Sequence, residues 1–175
     1  REKLPVVFVI QDNGYGISVP KKDQTATRKV ADNFSGFKNL TILHCNGKDV
    51  FDSMNAMTEA KRIAMEEVHP VIVQANCVRI HSHSNSDRHE LYRSETEREV
   101  AKEYDPLAKF RRMLLRYNRF TEEQLQAIEE TASREVKLAH KAAMQAPEPD
   151  PSTIFDFVLP EPYQPAKYQI GRAHV

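Results

Sequence analysis

The sequence lacks the features that mark several broad classes of protein. Its 25 basic and 25 acidic residues cancel, so no net charge favours nucleic acid or a membrane surface as a partner. No apolar run reaches the length of a membrane-spanning helix. The two cysteines, Cys45 and Cys77, are isolated in apolar runs, where free buried thiols are commoner than a disulfide or a metal site. We therefore expect a protein of the cell interior with no nucleic acid and no membrane among its partners.

Glycine is also scarce, and two of the five glycines flank one turn. The apolar run before that turn, residues 6–10, predicts a parallel strand covered on both faces. Asn13 then lies just past the carboxyl end of the strand, where open α/β sheets place their ligands. Because Gly14 and Gly16 allow positive φ and close backbone approach, the carbonyl of Tyr15 can turn inward beside the Asn13 amide. Two such oxygens suit Mg2+ or Ca2+ when the ion also holds a phosphate, although Asn-Gly is equally typical of an ordinary turn.

The following residues predict strands that alternate with helices. A short helix over 26–34 precedes a second strand over 40–45, and a third strand covers 71–78. Between these two strands, Asp49 caps a helix whose apolar residues recur at helical spacing. Strand, helix and strand of this length form a right-handed crossover between parallel strands. The residues predicted to face the core from this helix are Val50, Met54, Met57, Ile63, Ala64 and Val68.

A second polar stretch, residues 79–94, follows the third strand and carries three of the seven histidines. His81, His83 and His89 could in principle share a zinc ion, since alternate residues of an extended chain face the same way. A phosphate suits the composition better, because serine hydroxyls, imidazoles and guanidinium groups all donate hydrogen bonds to oxyanions. Both polar segments thus lie at the carboxyl ends of predicted parallel strands.

The remaining segments predict helical scaffold. Ser94 with Glu97 forms a capping box that opens one helix, and Asp105 with the proline after it opens another. Thr121 opens a longer helix that extends to about residue 145.

Residues 12–18, Asp-Asn-Gly-Tyr-Gly-Ile-Ser, resemble the second half of the thiamine-diphosphate motif in alpha subunits of 2-oxo acid dehydrogenases. That half closes with Asn-Asn-Gly-Tyr-Ala-Ile-Ser in the family. The resemblance implies that Asn13 and the carbonyl of Tyr15 are the metal ligands, binding the Mg2+ that holds the diphosphate. It also implies that Ile17 and Ser18 lie along the cofactor.

Three departures from the family motif bear on this assignment. Asp12 replaces the first asparagine of the pair. Gln11 replaces an arginine that some members aim at the diphosphate, so affinity for phosphate must come from elsewhere. The Gly-Asp-Gly that opens the motif on a preceding strand does not occur in the 175 residues. We therefore expect the chain to be part of a longer polypeptide.

Residues 79–94 are similar to the active-site loop of the same family. In branched-chain members that loop begins Arg-Ile-Gly-His-His-Ser-Thr-Ser-Asp and continues to Tyr-Arg-Ser, whereas His81 and Ser82 replace the Gly-His here. The resemblance implies that His83 contacts the diphosphate and serves acyl transfer to lipoamide, as the catalytic residue. Ser84 and Ser94 fall on family phosphorylation sites. The residues implied to order the loop or to dock a lipoyl domain are Arg79, Ser84, Asp87, Tyr92 and Arg93.

The resemblance also implies a fold and a division into regions. We expect an α/β fold with a parallel sheet flanked by helices, namely the diphosphate-binding module of the thiamine-diphosphate-binding fold, and a C-terminal helical extension. Residues 1–92 would form the C-terminal half of that module, including the loop. Residues 93–146 would form the helical extension, and residues 147–175 a proline-rich tail that docks.

The implied function is oxidative decarboxylation of a 2-oxo acid with transfer of the acyl group to a lipoyl domain. Its cofactors are thiamine diphosphate and Mg2+. Its partners are a beta-type subunit or fused beta half, which supplies the pyrimidine-binding module, and a lipoyl-bearing acyltransferase. We expect an oligomer, located in the cytoplasm or, in a eukaryote, in the mitochondrial matrix. Two alternatives stay open: a cofactor-free α/β regulatory or interaction domain, favoured by Gln11 and the missing Gly-Asp-Gly, and an acetoin-dehydrogenase-like enzyme.

Overall fold

The computed structural model describes residues 3–156 and 158. The strands among these residues are β1 (Val7–Asp12), β2 (Tyr15–Gly16), β3 (Val19–Pro20), β4 (Thr41–Cys45) and β5 (Val71–Asn76). Three of them, in the spatial order β1-β5-β4, form a parallel sheet, and β2 pairs with β3 in a small antiparallel hairpin. The α-helices are α1 (Val50–Glu66), α2 (Glu95–Glu103), α3 (Pro106–Arg116) and α4 (Glu122–Gln145). The predicted α/β fold with a parallel sheet flanked by helices is confirmed.

The core lies between β5 and α1. β5 is paired on both sides, and Val71 and Val73 are almost completely buried. The small side chain of Ala60 lets α1 approach the sheet closely, and Ile63 packs into the same cluster. Each large apolar side chain buried in this way contributes roughly 1.5–3 kcal/mol relative to an exposed one. This packing holds the carboxyl ends of β1 and β5 side by side, with Asp12 opposite Asn76.

β1 differs from its prediction as a strand covered on both faces. Among the described residues, only β5 pairs with it, and Phe8 and Val9 are about half exposed. The apolar composition of β1 resembles that of β5. Composition indicates that a segment prefers to form a strand, but it does not indicate how many neighbouring elements will cover that strand.

Helix α1 begins as predicted, but its buried face is narrower than predicted. The Asp49 carboxylate accepts hydrogen bonds from two first-turn amides, which confirms the cap. Ile63 is buried, whereas Met54 and Met57 are 59% and 40% exposed and Val68 is also exposed. The sheet is too narrow to cover the full stripe, so only the part around Ala60 meets it.

Two other predicted elements are shorter than expected. The helix expected over 26–34 is a single 3-10 segment, Val30–Phe34. The third strand ends at Asn76, two residues before the end of its predicted range. Two of the predicted downstream caps are present: Asp105 accepts from the Leu107 N–H, and Thr121 forms a reciprocal box with Gln124. Of the predicted box at α2, Ser94 Oγ accepts from the Glu97 N–H, whereas the Glu97 carboxylate bonds other residues.

The chain divides into two compact units, one ending at Leu125 and the other beginning at Gln126. The second unit contains most of α4 and a 3-10 segment, Pro151–Phe155. Most of the predicted docking tail, residues 157 and 159–175, lies outside the described residues, so its docking stays a prediction. No helix within residues 3–156 has both the length and the apolar character needed to cross a bilayer.

Candidate functional site

The two polar segments singled out in the sequence meet at one edge of the sheet. Residues 12–18 follow β1, and residues 79–94 follow β5, which is the neighbour of β1 in the sheet. A guanidinium nitrogen of Arg79, Nη1, donates a hydrogen bond to the Ile17 carbonyl at 2.8 Å across 62 residues of sequence. The turn and the loop are therefore in direct contact.

The turn after β1 is built around Asn13. Its Oδ1 accepts a hydrogen bond from the Tyr15 N–H at 3.0 Å, and Gly14 between them has a φ of +83°. Glycine adopts that conformation without steric cost. Gly16 does not have a positive φ, and a side chain there would meet only the end of the flexible Gln24 side chain, which can move aside. The conformational need for glycine in this turn therefore lies at Gly14.

Ile17 occupies an unfavourable conformation at the tip of the hairpin. It has a φ of +56° and is 57% exposed. A β-branched residue in this region is a genuine outlier, at a cost of roughly 1–3 kcal/mol. The hydrogen bond from Arg79 to its carbonyl helps to hold it there. Ser18 beside it is exposed as well. No pattern in the sequence indicates this strain.

Asp12, the first departure from the family motif, is an internal anchor. Its carboxylate is buried and uses both oxygens: Oδ1 accepts from the Gly14 N–H at 3.1 Å, and Oδ2 accepts from Lys21 Nζ and from Gln74 Nε2, each at 2.6 Å. Gln74 in turn accepts a hydrogen bond from the Ala31 N–H. The network joins β1, β5 and the segments between them. Lys21 and Gln74 were missed from the sequence, because nothing local indicates that they meet Asp12.

The predicted metal ligands border a cleft of about 350 Å³. Asn13 Oδ1 has one lone pair left after its bond to the Tyr15 N–H. Tyr15 lies opposite Pro20 in the hairpin, and the Lys21 N–H next to it donates to the Gly14 carbonyl. Because hydrogen-bonded pairs alternate along an antiparallel ladder, the Tyr15 carbonyl is directed away from β3. The Asn13 and Tyr15 oxygens therefore fit a shared site in which Mg2+ takes its other ligands from phosphate and water. Other residues that line the cleft are Gln11, Lys21, Thr25 and Asn33.

Acidic, histidine and cysteine side chains were the other candidates for metal binding. Within residues 3–156 and 158, no group of three such side chains is arranged to hold an ion. His81, His83 and His89, weighed above as zinc ligands, do not form such a group.

The loop after β5 is organised around Asp87. Its Oδ2 accepts hydrogen bonds from the His83 N–H at 2.8 Å and from the Tyr92 hydroxyl at 2.7 Å, and Arg79 Nη2 donates to that hydroxyl at 2.6 Å. The hydrogen bond from Tyr92 lowers the pKa of Asp87, with a further contribution from the His83 N–H. Burial, followed by the hydrogen bond to Asp87, raises the pKa of Tyr92. The ionised carboxylate therefore holds the loop backbone at His83.

Two other residues predicted for the site, His83 and Ser84, have exposed side chains. The His83 side chain is exposed, so its imidazole faces solvent. Ser84 is exposed too, and its hydroxyl lies 3.1 Å from that of Ser86.

Arg93 links the loop to the turn. It is 5% exposed, donates from Nη1 to the Arg79 carbonyl at 2.8 Å and donates from Nε to Glu97 Oε1 at 2.9 Å. The guanidinium groups of Arg79 and Arg93 lie 5.2 and 5.4 Å from the centre of the Tyr15 ring. The Tyr15 hydroxyl donates to the same oxygen of Glu97 at 2.8 Å, and burial followed by this hydrogen bond raises the pKa of Tyr15. Sequence reasoning identified Glu97 only as part of a helix cap.

One family model and several individual relatives match this chain, and their names agree with one another. The family model for the dehydrogenase E1 component matches residues 2–152. The human mitochondrial 2-oxoisovalerate dehydrogenase subunit alpha is 35% identical over 169 residues, which cover 95% of this chain and 38% of the relative. The subunit alpha of 2-oxoisovalerate dehydrogenase from Bacillus subtilis (strain 168) is 30% identical, over 89% of this chain and 47% of the relative. The mitochondrial pyruvate dehydrogenase E1 component subunit alpha of Pisum sativum is 31% identical, over 98% and 43%. The chain spans less than half the length of these relatives.

Proposed function

The chain belongs to the dehydrogenase E1 component family, and from this premise we propose that it is the diphosphate-binding part of a thiamine-dependent 2-oxo acid dehydrogenase. The observation that carries the proposal is the junction of the Asn13–Tyr15 turn with the loop 79–94 at the carboxyl ends of two adjacent strands. Open parallel sheets bind ligands at this edge.

In this proposal the turn binds the metal and the diphosphate. Asn13 Oδ1 and the Tyr15 carbonyl hold Mg2+, and Ile17 and Ser18 lie along the cofactor. When bound, thiamine diphosphate supplies the electron sink that decarboxylation of a 2-oxo acid requires. The protein supplies position and electrostatics.

The charges around the turn indicate which group would neutralise the diphosphate. Gln11 carries no charge, and the charge of Lys21 is offset by its ion pair with Asp12. Arg79 keeps its charge, but its terminal nitrogens donate to the Ile17 carbonyl and the Tyr92 hydroxyl. Among the described residues that line the cleft beside Asn13, the only cation is the paired Lys21, so Mg2+ would be the main counter-charge to a diphosphate bound there.

The loop residues take two roles in the proposal. Arg79, Asp87, Tyr92 and Arg93 hold the loop in its ordered form through the contacts described above. His83, whose backbone is held by Asp87 and whose imidazole faces solvent, donates a hydrogen bond to the diphosphate and serves the transfer of the acyl group to a lipoyl domain. Ser84 lies beside it in the same loop.

The proposed assembly includes other proteins. The relatives named above are alpha subunits, which supports a beta-type subunit, or a fused beta half, as the source of the pyrimidine-binding module. A lipoyl-bearing acyltransferase would receive the acyl group. Both mitochondrial and bacterial relatives match, so the compartment would follow the source organism.

The test uses the full-length polypeptide with any partner subunit and a panel of branched-chain 2-oxo acids, pyruvate and acetoin. Decarboxylation of the 2-oxo acids, or carbon–carbon cleavage of acetoin, is followed with an artificial electron acceptor, and acyl transfer with a lipoyl domain. His83→Ala should reduce acyl transfer on the order of 100-fold and decarboxylation much less, because the imidazole acts mainly in the transfer step.

His140→Ala is the matched control, since His140 is an exposed histidine in α4, and it should leave both rates unchanged. Equal loss of both rates in His83→Ala would remove the role proposed for this histidine. A complete assembly that turns over none of the panel would contradict the proposed function itself.

A further inference from the structure

The carboxylate of Glu97 connects helix α2 to the Asn13–Tyr15 turn. It lies in the first turn of α2, and its Oε1 accepts hydrogen bonds from both Tyr15 and Arg93. We propose that Glu97 is a positioning residue, which holds the Tyr15 side chain and thereby fixes the Asn13–Tyr15 turn for Mg2+. The inference deepens the proposed function and rests on it.

Glu97 is itself held at both ends. Its backbone N–H donates to Ser94 Oγ at 3.2 Å, which fixes the first turn of α2. Its carboxylate, which is 42% exposed, pairs with Arg93, whose side chain is only 3% exposed. A buried guanidinium needs a counter-charge, so removal of the carboxylate leaves Arg93 unmatched. Glu97 is thus an acceptor for the Tyr15 hydroxyl that two further contacts hold in place.

Tyr15 is contacted on its ring and at its hydroxyl. Arg79 and Arg93 lie within 5.4 Å of its ring centre, and the Tyr92 ring centre is 5.9 Å away. The hydroxyl is bound by Glu97 across 82 residues of sequence. Because the ring is held, the freedom of the Tyr15 backbone is restricted as well. The carbonyl proposed to bind Mg2+ belongs to that backbone.

The arrangement also explains why a carboxylate is suited to this position. A neutral amide would still accept the hydrogen bond from Tyr15, but it would leave the charge of Arg93 unmatched. A methyl group would supply neither contact. Glu97→Gln therefore removes the charge opposite Arg93 and keeps the hydrogen-bond acceptor for Tyr15, whereas Glu97→Ala removes both.

The experiment uses the full-length polypeptide with any partner subunit. Binding of thiamine diphosphate is measured by calorimetry over a series of Mg2+ concentrations. Glu97→Ala should raise the Mg2+ concentration at half-saturation about tenfold, the scale of one hydrogen bond to a charged group. Glu97→Gln should restore part of the affinity. Glu99→Gln is the control on the same helix, because Glu99 is 61% exposed and pairs with Lys102 only at the surface, and it should match the wild type.

A second comparison separates positioning from general stabilisation of the fold. Tyr15→Phe keeps the ring and the carbonyl and removes the hydroxyl that Glu97 binds. If Glu97 acts through that hydroxyl, the effects of Tyr15→Phe and Glu97→Ala on the Mg2+ requirement are less than additive, because each change removes the same hydrogen bond. Thermal unfolding without cofactor is measured for every variant, and Glu97→Leu, which also lacks an acceptor but fills more of the space, takes the place of Glu97→Ala in the cycle should that variant fail to fold.

The outcomes distinguish this inference from the proposed function. Additive effects, or Glu97 variants with the Mg2+ requirement of the wild type, would overturn the positioning role alone. A wild-type assembly that does not bind Mg2+ and thiamine diphosphate would overturn the proposed function and the positioning role together.

Discussion

Asp12 and Asn13 are adjacent polar residues at the end of β1 with different environments. Asp12 is buried, and its two carboxylate oxygens accept hydrogen bonds from Gly14, Lys21 and Gln74. Asn13 is half-buried and uses one lone pair within the turn. Successive side chains of a strand point to opposite sides, which accounts for one inward anchor followed by one residue available to a ligand. A carboxylate at position 12 is compatible with the site because Lys21 matches its charge.

The ionisation of Asp87 makes the order of the loop 79–94 dependent on pH. Its pKa in the folded protein lies below the ordinary value of 3.8, chiefly because Tyr92 donates to the ionised form. Its contribution to loop order is therefore complete above about pH 3.8 and is lost as the pH falls through the lowered pKa. The resonance of the Asp87 carboxyl carbon, observed in protein with isotopically labelled aspartate, should stay constant down to that pH and move only below it. Asp87→Asn should abolish the transition, and a transition at or above pH 3.8 in the wild type would contradict this account.

Residues near one another in sequence were the predictable part of the site. The Asn13 turn, the positive φ of Gly14 and the Ser94 cap all follow from local side-chain chemistry. Lys21 and Glu97 could not be assigned to the site in this way. Their partners, Asp12 and Tyr15, lie on other elements, and a charged residue in a sequence carries no sign of which distant residue it will meet.

Among the elements, β1 and β5 show what a local pattern can predict. Both are apolar runs of strand length, and both are strands. β5 is paired on two sides and buried over five consecutive residues, whereas β1 is paired on one side within the described residues and leaves Phe8 exposed. The pattern therefore predicts the type of element, and the number of its neighbours depends on the tertiary fold. The same distinction explains the exposed methionines of α1.

The turn before α1 contains a glycine that close packing requires. A side chain at Gly47 would lie 2.6 Å from Cys77 Sγ, 3.1 Å from the Ala75 Cβ and 3.3 Å from the Asn76 carbonyl oxygen. Gly47→Ala should lower the free energy of unfolding of the full-length protein by roughly 1–3 kcal/mol, the usual cost of overpacking. Denaturant unfolding measures the change.

Gly36 provides the matched control for this substitution. A side chain there would meet no atom within 4 Å, and its φ is not positive. Gly36→Ala should change the free energy of unfolding by less than about 1 kcal/mol and in the stabilising direction, through the unfolded state. Equal effects of the two substitutions would show that the end of β5 is not closely packed against the turn.

At the scale of the whole molecule, the site depends on the order of the strands. The crossover from β4 through α1 to β5 was predictable from the sequence, because strand and helix periods alternate there. The insertion of β5 between β1 and β4 was not. The pairing of β5 with β1 brings the loop 79–94 beside the Asn13 turn. The family resemblance identified both segments as parts of one site, and the hydrogen bond from Arg79 to Ile17 shows how they are joined.

In the proposed function the chain would supply only part of the metal site. Asn13 and Tyr15 offer two oxygens, whereas Mg2+ prefers octahedral coordination. The remaining ligands would come from the diphosphate, from water and from protein outside these residues. This division fits a chain that spans 38–47% of the relatives cited above.

The most direct test of the central claim is a calorimetric titration of the full-length polypeptide, with any partner subunit, by thiamine diphosphate with and without Mg2+. The wild type should bind only when Mg2+ is present. Asn13→Ala should weaken that binding about tenfold or more, through the loss of one metal ligand. Asn55→Ala, a change on the exposed face of α1, should match the wild type. Absence of binding by a complete, folded assembly, or unchanged affinity in Asn13→Ala, would contradict the account and favour a scaffold that binds no cofactor.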